Sequence, residues 1–211
     1  MKNRIIHFAT KCETRAVFID EFQHLIDRDT ENVLASASDW LKTLVDELSI
    51  PVILFGKPEA KRIFEFNSQL DGRYKTKIEL PKFTFDNPLT QEEFRKFLAS
   101  MDFGMPLSSW SNLHSPYLSA KIYYASKGVP RYVKNLLLEA AKIAWKKGKD
   151  HLDEDVLQVG YDILTLETRP YARNPFNDPA FNLGLWLKEE EDLTKIEEQE
   201  KEKDKKMRRR R

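Results

Sequence analysis

The chain has 211 residues, enough for one good-sized domain or for a domain with an appendage. Its 35 basic and 34 acidic residues leave a formal net charge of +1, so bulk electrostatics neither demands nor excludes a polyanionic partner. The single cysteine excludes an internal disulfide framework and fits a reducing compartment. With no signal peptide and no long uncharged apolar run, a soluble, cytoplasmic protein without a membrane partner is expected.

Residues 3–12 carry Ile5, Ile6, Phe8 and Ala9 in a short, incomplete helical pattern. The apolar, β-branched run at 15–19 then ends abruptly in Asp20-Glu21. Such runs, buried on both faces, are typical of strands in a parallel α/β sheet. A helix is predicted over 33–48, where Leu34, Ala37, Leu41, Leu44, Val45 and Leu48 recur at threes and fours. Pro51-Val52-Ile53-Leu54-Phe55 reads as the next buried strand, closed by Gly56-Lys57-Pro58. A helix over 59–66 follows, with Pro58 near its first turn. The segment 69–74, with Gly72 and Arg73, reads as a turn, and the alternation over 75–80 as a last strand ended by Pro81. Two strand–helix units and a strand make half of a sheet domain, leaving an unpaired strand edge.

From Thr90 the character changes to helical. Thr90-Gln91-Glu92-Glu93 reads as a capping-box start, before a stripe of Phe94, Phe97, Leu98 and Met101. Further helices are predicted over 116–127, 130–147 and 153–166, with Gly128 as a stop and Pro130 as a start. Beyond Thr168 the chain is proline-punctuated, and 188–211 is a Glu/Lys-rich run ending in four arginines. That run has little to bury, so it is expected to be disordered or a solvated helix. The organisation expected is therefore an α/β part over 1–88, a helical domain over 89–167, and an irregular, charged tail over 168–211.

The chemistry concentrates in a few places. Residues just past the carboxyl end of a parallel strand face the crevice where open α/β sheets bind ligands. Asp20 and Glu21 placed there suit a metal ion and an attacking water, while the alternative is that Asp20 caps the following helix. Arg131, in the first turn of a helix, opposes the macrodipole, a conflict that a bound anion removes. Its alternative is an ion pair with Glu167 or Glu139. Arg73, in a turn, has the alternative of simple solvation. His7, Cys12 and His24 lack zinc-ligand spacing, and no nucleophile elbow is present.

Val17-Phe18-Ile19-Asp20-Glu21-Phe22-Gln23-His24-Leu25, then 50–60, then Gln69-Leu70-Asp71-Gly72-Arg73-Tyr74 resemble the AAA+ ATPases of the TniB/TnsC transposition type. The helical domain with Gly128-Val129-Pro130-Arg131 is similar to their lid. The resemblance implies the C-terminal part of a P-loop AAA+ parallel-sheet domain, a small all-helical lid and a charged tail. It implies ATP and magnesium as cofactors, with Asp20 as the Walker-B magnesium residue and Glu21 as the catalytic base. It further implies that Lys57 lies in the sensor-1 region, that Arg73 is an arginine finger toward a neighbouring subunit, and that Arg131 is the sensor-2 arginine. The implied partners are DNA, a DDE transposase and further copies of the chain.

Two departures stand out. Lys57 occupies a place where that family tends to carry a small hydroxyl residue. No G-x-x-x-x-G-K-[ST] occurs in the 211 residues, and a P-loop supplies the phosphate cradle in that family. A truncated, split or decayed ATPase with little or no turnover alone is therefore the expectation. The alternatives are a non-enzymatic DNA- or transposase-binding module with a vestigial nucleotide site, and another AAA+ class such as a replication initiator.

Overall fold

The computed structural model describes residues 2–25, 31–164 and 169–208, and the chain divides into two compact units, Met1–Glu79 and Leu80–Arg211. The whole is mostly helical, with a small parallel sheet, a mixed α/β protein. Among the described residues no helix is long and apolar enough to cross a membrane.

The first unit begins with α1 (Lys2–Lys11) and β1 (Val17–Ile19). A 3₁₀ turn (Phe22–Leu25), α2 (Glu31–Leu48) and β2 (Val52–Leu54) follow. The two strands pair in parallel, with Val17 opposite Val52 and Ile19 opposite Leu54. The crossover between them contains α2, as a parallel pair requires. Strand side chains alternate between faces. Ile19 and Leu54 accordingly pack toward a core of Phe22, Ala37, Leu41, Ile63 and Leu70. Phe18 points the other way, is 67% exposed and stacks only on Phe55, with ring centroids 6.1 Å apart. The expectation of strands buried on both faces is thus corrected. One face packs on this core, and the other is only partly covered, with Ile53 half-buried beside the exposed Phe18.

Two further expectations for this unit also change. The predicted turn at 69–74 is a helix, α4 (Ser68–Arg73), which follows a 3₁₀ turn (Pro58–Lys61) and α3 (Arg62–Phe66). Asn67 is the reason. Its side-chain oxygen accepts hydrogen bonds from the N–H groups of Gln69 (3.1 Å) and Leu70 (3.2 Å), which caps the helix and buries Leu70 completely. Gly72, read as a turn signal, sits inside α4 with open space where a side chain would be. The strand predicted over 75–80 is absent, and Ile78 and Leu80 are 81% and 88% exposed. Alternation produces a strand only where a ladder partner and a surface to cover exist, and neither is present here.

The second unit is built from α5 (Pro88–Phe103), α6 (Pro116–Ser126), α7 (Pro130–Lys146) and α8 (Glu154–Ile163). Its core includes Phe94, Leu98, Ile122, Leu136, Ala140 and Leu157. The capping box at the start of α5 lies three residues earlier than predicted. Asn87 accepts from the Thr90 N–H (3.0 Å) and Thr90 Oγ1 accepts from the Asn87 N–H (3.2 Å), so Thr90 is the third helical residue rather than the cap. Gly128 ends the turn after α6 at φ +70°. A Cβ there would lie 2.1 Å from the Phe83 carbonyl oxygen, and the Phe83 N–H donates to the Gly128 carbonyl at 2.9 Å. That contact threads the segment before α5 through the helical core, where Phe83 stacks on Phe97 and Phe85 on Tyr123.

The tail is held to the unit by contacts that the sequence reading does not contain. Residues 169–182 are largely irregular apart from a 3₁₀ turn (Pro175–Asn177), but they are fastened to the unit. Beyond them α9 (Leu183–Arg208) is a long helix, so over 188–208 the chain takes the solvated-helix form of the two expected, and the helix starts five residues earlier, at Leu183. Arg209, Arg210 and Arg211 lie outside the described residues.

The physical reason is a narrow inward stripe of Leu183, Trp186, Leu187 and Glu190, hidden in sequence by its charged neighbours. Arg169 donates from Nε and Nη2 to the two carboxylate oxygens of Glu190, each at 2.7 Å. Its Nη1 donates to the carbonyls of Tyr124 (2.9 Å) and Ala125 (3.0 Å), and Lys127 adds a second cation 3.2 Å from Glu190. Burial alone would push the Glu190 carboxyl up. The Arg169 hydrogen bonds and charge, helped by Lys127, outweigh it and hold the group below its ordinary value of 4.5.

Two predictions follow from this packing. Gly128→Ala meets both a left-handed backbone and the Phe83 carbonyl, and is expected to destabilise the unit by about 3 kcal/mol or more. Gly148→Ala, at φ +66° but in open space, is expected to cost only about 1 kcal/mol, and denaturant melts compare the two. Because Glu190 has a lower value folded than unfolded, its contribution is complete above pH 4.5 and disappears as pH falls through the depressed value. The melting temperature of the full chain should therefore fall in that acid range. Glu190→Gln should lower it at neutral pH and flatten that acid response.

Candidate active site at the strand ends

The in-register parallel pairing carries the carboxyl ends of β1 and β2 to the same edge of the sheet. Asp20-Glu21 and Gly56-Lys57 therefore emerge side by side. The ladder continues past both strands, since the Phe55 N–H donates to the Ile19 carbonyl (2.8 Å) and the Phe22 N–H to the Phe55 carbonyl (2.9 Å).

Glu21 lies between those two bonds with φ +51°. Glu13, Ser49 and Lys127 share a positive φ but lie within two residues of a helix end, where a left-handed residue is an ordinary stop, and Asn112 is of a type that adopts this conformation readily in loops. Glu21 instead follows a strand. A left-handed glutamate costs about 1 kcal/mol or more, and such outliers gather at functional sites.

Asp20 does not cap the 3₁₀ turn that follows. Its Oδ1 accepts from the N–H of Glu21 at 2.8 Å, and both carboxylates are exposed at the sheet edge. Two hard carboxylate oxygens at a strand end suit magnesium, which keeps waters and phosphate oxygens as its other ligands. Among the described residues no group of three His, Cys, Asp or Glu side chains forms an all-protein metal cage.

Gln23 carries no assigned role in the sequence reading, yet it joins the two loops. It is only 6% exposed. Its Nε2 donates to Glu21 Oε2, and its Oε1 accepts from the Lys57 N–H at 3.0 Å. A Cβ on Gly56 would come within 2.9 Å of that same Oε1 and 3.3 Å of the Phe22 nitrogen. A side chain at position 56 would thus press on the Gln23 amide and displace it from the Lys57 N–H. The available signal was a buried-type position, between Phe22 and Leu25, filled by a residue with one donor and one acceptor end.

Arg73 is not at this edge. It closes α4 and pairs with Asp46 of α2 at 2.8 Å. Arg131 belongs to the second unit, exposed in the first turn of α7. Among the described residues it has no ion-pair partner. Glu139, the neighbour offered as its alternative, pairs with Lys142 at 2.6 Å, and Glu167 lies outside the described residues.

The fold and the strand-end cluster define a small, mixed α/β unit with an acid pair at the crevice edge of a parallel sheet. Residues 1–85 match the model of a protein family, TniB, described as the bacterial TniB protein. Over that segment the chain is TniB-like, as its motifs imply. None of the curated proteins matches the chain.

The Arg73–Asp46 pair is partly exposed, so Arg73→Ala should change stability by less than about 1 kcal/mol in denaturant melts. A much larger loss would mark the arginine as structural.

Proposed function

We propose that this chain is a AAA+ ATPase-type regulator of DNA transposition, built to couple ATP and magnesium to assembly on target DNA and recruitment of a DDE transposase. The TniB family match supports the association with transposition and mobile elements. The observation that carries the nucleotide-site reading is the strand-end cluster, with a strained Glu21 tied through Gln23 to the β2 loop.

In this reading Asp20 holds magnesium, which when bound neutralises charge on the transferring phosphate. Glu21 orients the attacking water and takes up its proton, and Gln23 keeps that carboxylate aimed across the edge. The Lys57 ammonium supplies positive charge beside the phosphates in place of a hydroxyl sensor. Arg131, a cation without an ion-pair partner among the described residues, acts as the sensor-2 residue. Arg73 reaches a neighbouring copy as an arginine finger, exchanging Asp46 for phosphate. The helical second unit then serves as the lid.

A second reading is favoured by one sequence fact, the lack of a P-loop motif in these 211 residues. A chain with no phosphate cradle of its own can still bind DNA or transposase as a non-enzymatic module.

The purified chain is expected to hydrolyse ATP feebly or not at all. Sustained turnover that disappears in Glu21→Gln would overturn that expectation and make the chain a complete ATPase. A salt-sensitive DNA mobility shift indifferent to ATP would favour the binding module.

A further inference from the structure

A cleft of about 390 Å³ opens in the second unit, between the segment that follows Arg169 and the first turns of α9. Tyr124 and Trp186, both buried, form its floor, and Tyr171, Glu189 and Asp192 stand around it. Three aromatic rings beside carboxylates suit an organic cation, because the ring faces are negative and the acids supply full charges. Phosphate and DNA are repelled by the same acids. A hydrated magnesium ion gains nothing from aromatic walls.

One such cation is already in place. The Arg173 guanidinium lies 4.0 Å over the Trp186 ring and pairs with Glu189. A planar group can stack on the indole and reach a carboxylate with its edge, a combination that an ammonium cannot reproduce. The hold is nevertheless weak, since the Arg173 and Glu189 side chains are 54% and 47% exposed. The backbone is fastened separately, the Arg173 N–H donating to the Tyr124 hydroxyl at 3.3 Å. The side chain can therefore swing out without loosening the segment.

Asp192 is the carboxylate that Arg173 does not use. Among the described residues it has no ion-pair partner, and it follows Glu189 at the spacing that puts both on one side of a helix. Glu190, between them, is spent on Arg169 and Lys127. A ligand with two neighbouring positive charges meets Glu189 and Asp192 together, which the single Arg173 cannot do. Arg208 lies eighteen residues along α9 from Glu190, about 27 Å away, so the same helix cannot return it to the cleft.

We infer that this cleft binds an arginine-bearing segment of another protein, one guanidinium replacing Arg173 on Trp186 and a second basic group meeting Asp192. Arg173 is then an internal competitor that keeps the indole covered until such a segment arrives. The contact lies wholly within the second unit and needs no nucleotide, so it goes beyond the ATPase reading above.

The test uses the full chain and a Gly-Arg-Arg-Gly peptide with blocked ends, followed by NMR at the indole N–H of Trp186, one of four tryptophans. Titration should shift that signal, with an affinity that weakens as salt is raised. Arg173→Ala should tighten binding by roughly threefold or more, because the uncovered state is then always populated. Glu189→Gln with Asp192→Asn, which keeps the side-chain shapes, should weaken it by roughly tenfold. Gly-Lys-Lys-Gly, of equal charge, should bind several-fold more weakly than the arginine peptide. Thermal melts check that the variants fold, and Arg173→Gln, with the same expected direction, serves if Arg173→Ala melts early.

An indole signal that the arginine peptide leaves unmoved overturns the proposal. So does equal binding of the lysine peptide, which would reduce the cleft to a diffuse acidic patch. Weaker binding on removal of the Arg173 guanidinium also overturns it, since a competitor cannot assist its rival. Absence of ATPase activity leaves all these outcomes unchanged, so failure of the nucleotide-site reading is separately visible.

Discussion

Everything at the candidate site depends on two three-residue strands pairing in parallel and in register. A parallel pair sends both chains off the sheet at the same end, whereas an antiparallel pair would separate the acids from the Gly56 turn by the length of the ladder. A shift of one residue would also exchange the inward Ile19 for the outward Phe18. The hydrogen bonds from Phe55 to Ile19 and from Phe22 to Phe55 extend the pairing past the strands and frame Glu21. The backbone of Glu21 can remain left-handed because the bonds on either side of it overdetermine its position. The Gln23 amide then fixes the direction of its carboxylate. A site of few residues is held by a ladder, a buried amide and a glycine, each of which needs the others.

The second unit solves a different problem, holding a charged terminal helix on a helical core. A helix as polar as α9 gains little from burying apolar area. Its attachment uses an ionic anchor in which Arg169 is saturated by one carboxylate and two backbone carbonyls, and Glu190 by two cations. Breaking one partner of such a group strands a buried charge, which costs far more than the pair contributes in isolation. Aromatic contacts reinforce the same place, with Arg173 4.0 Å over the Trp186 ring and Trp186 edge-on to Tyr124. The helix is fixed along its first turns, and its outer face remains available.

Local chemistry made much of this legible. Prolines and caps marked α6, α7 and α8 closely, because the stop at Gly128 and the start at Pro130 act within a turn of themselves. The β1–acid–α2–β2 order was readable from apolar runs and their punctuation, and with it the adjacency of Asp20 and Gly56. What failed was chiefly non-local. Alternation over 75–80 contains no information about a missing ladder partner, and a local miss is the Asn67 cap, with which Gly72 competes as a turn signal. The α9 stripe was diluted by carboxylates, one of which, Glu190, turned out to be an inward residue. A charged residue in an apolar stripe reads as a defect in the pattern until its counter-charge, here twenty-one residues upstream, is placed beside it.

The same logic applies to Gln23 and to Arg131, from opposite directions. Gln23 is polar and buried, so the structure must satisfy both ends of its amide, and it does so with one group from each strand-end loop. Arg131 is charged and exposed, and among the described residues it has no counter-charge at the end of a helix that disfavours cations. An internal need met twice indicates a residue that positions others. An unmet one leaves the arginine and the free N–H groups of that first turn open to an anion, which is what the proposed sensor role asks of Arg131.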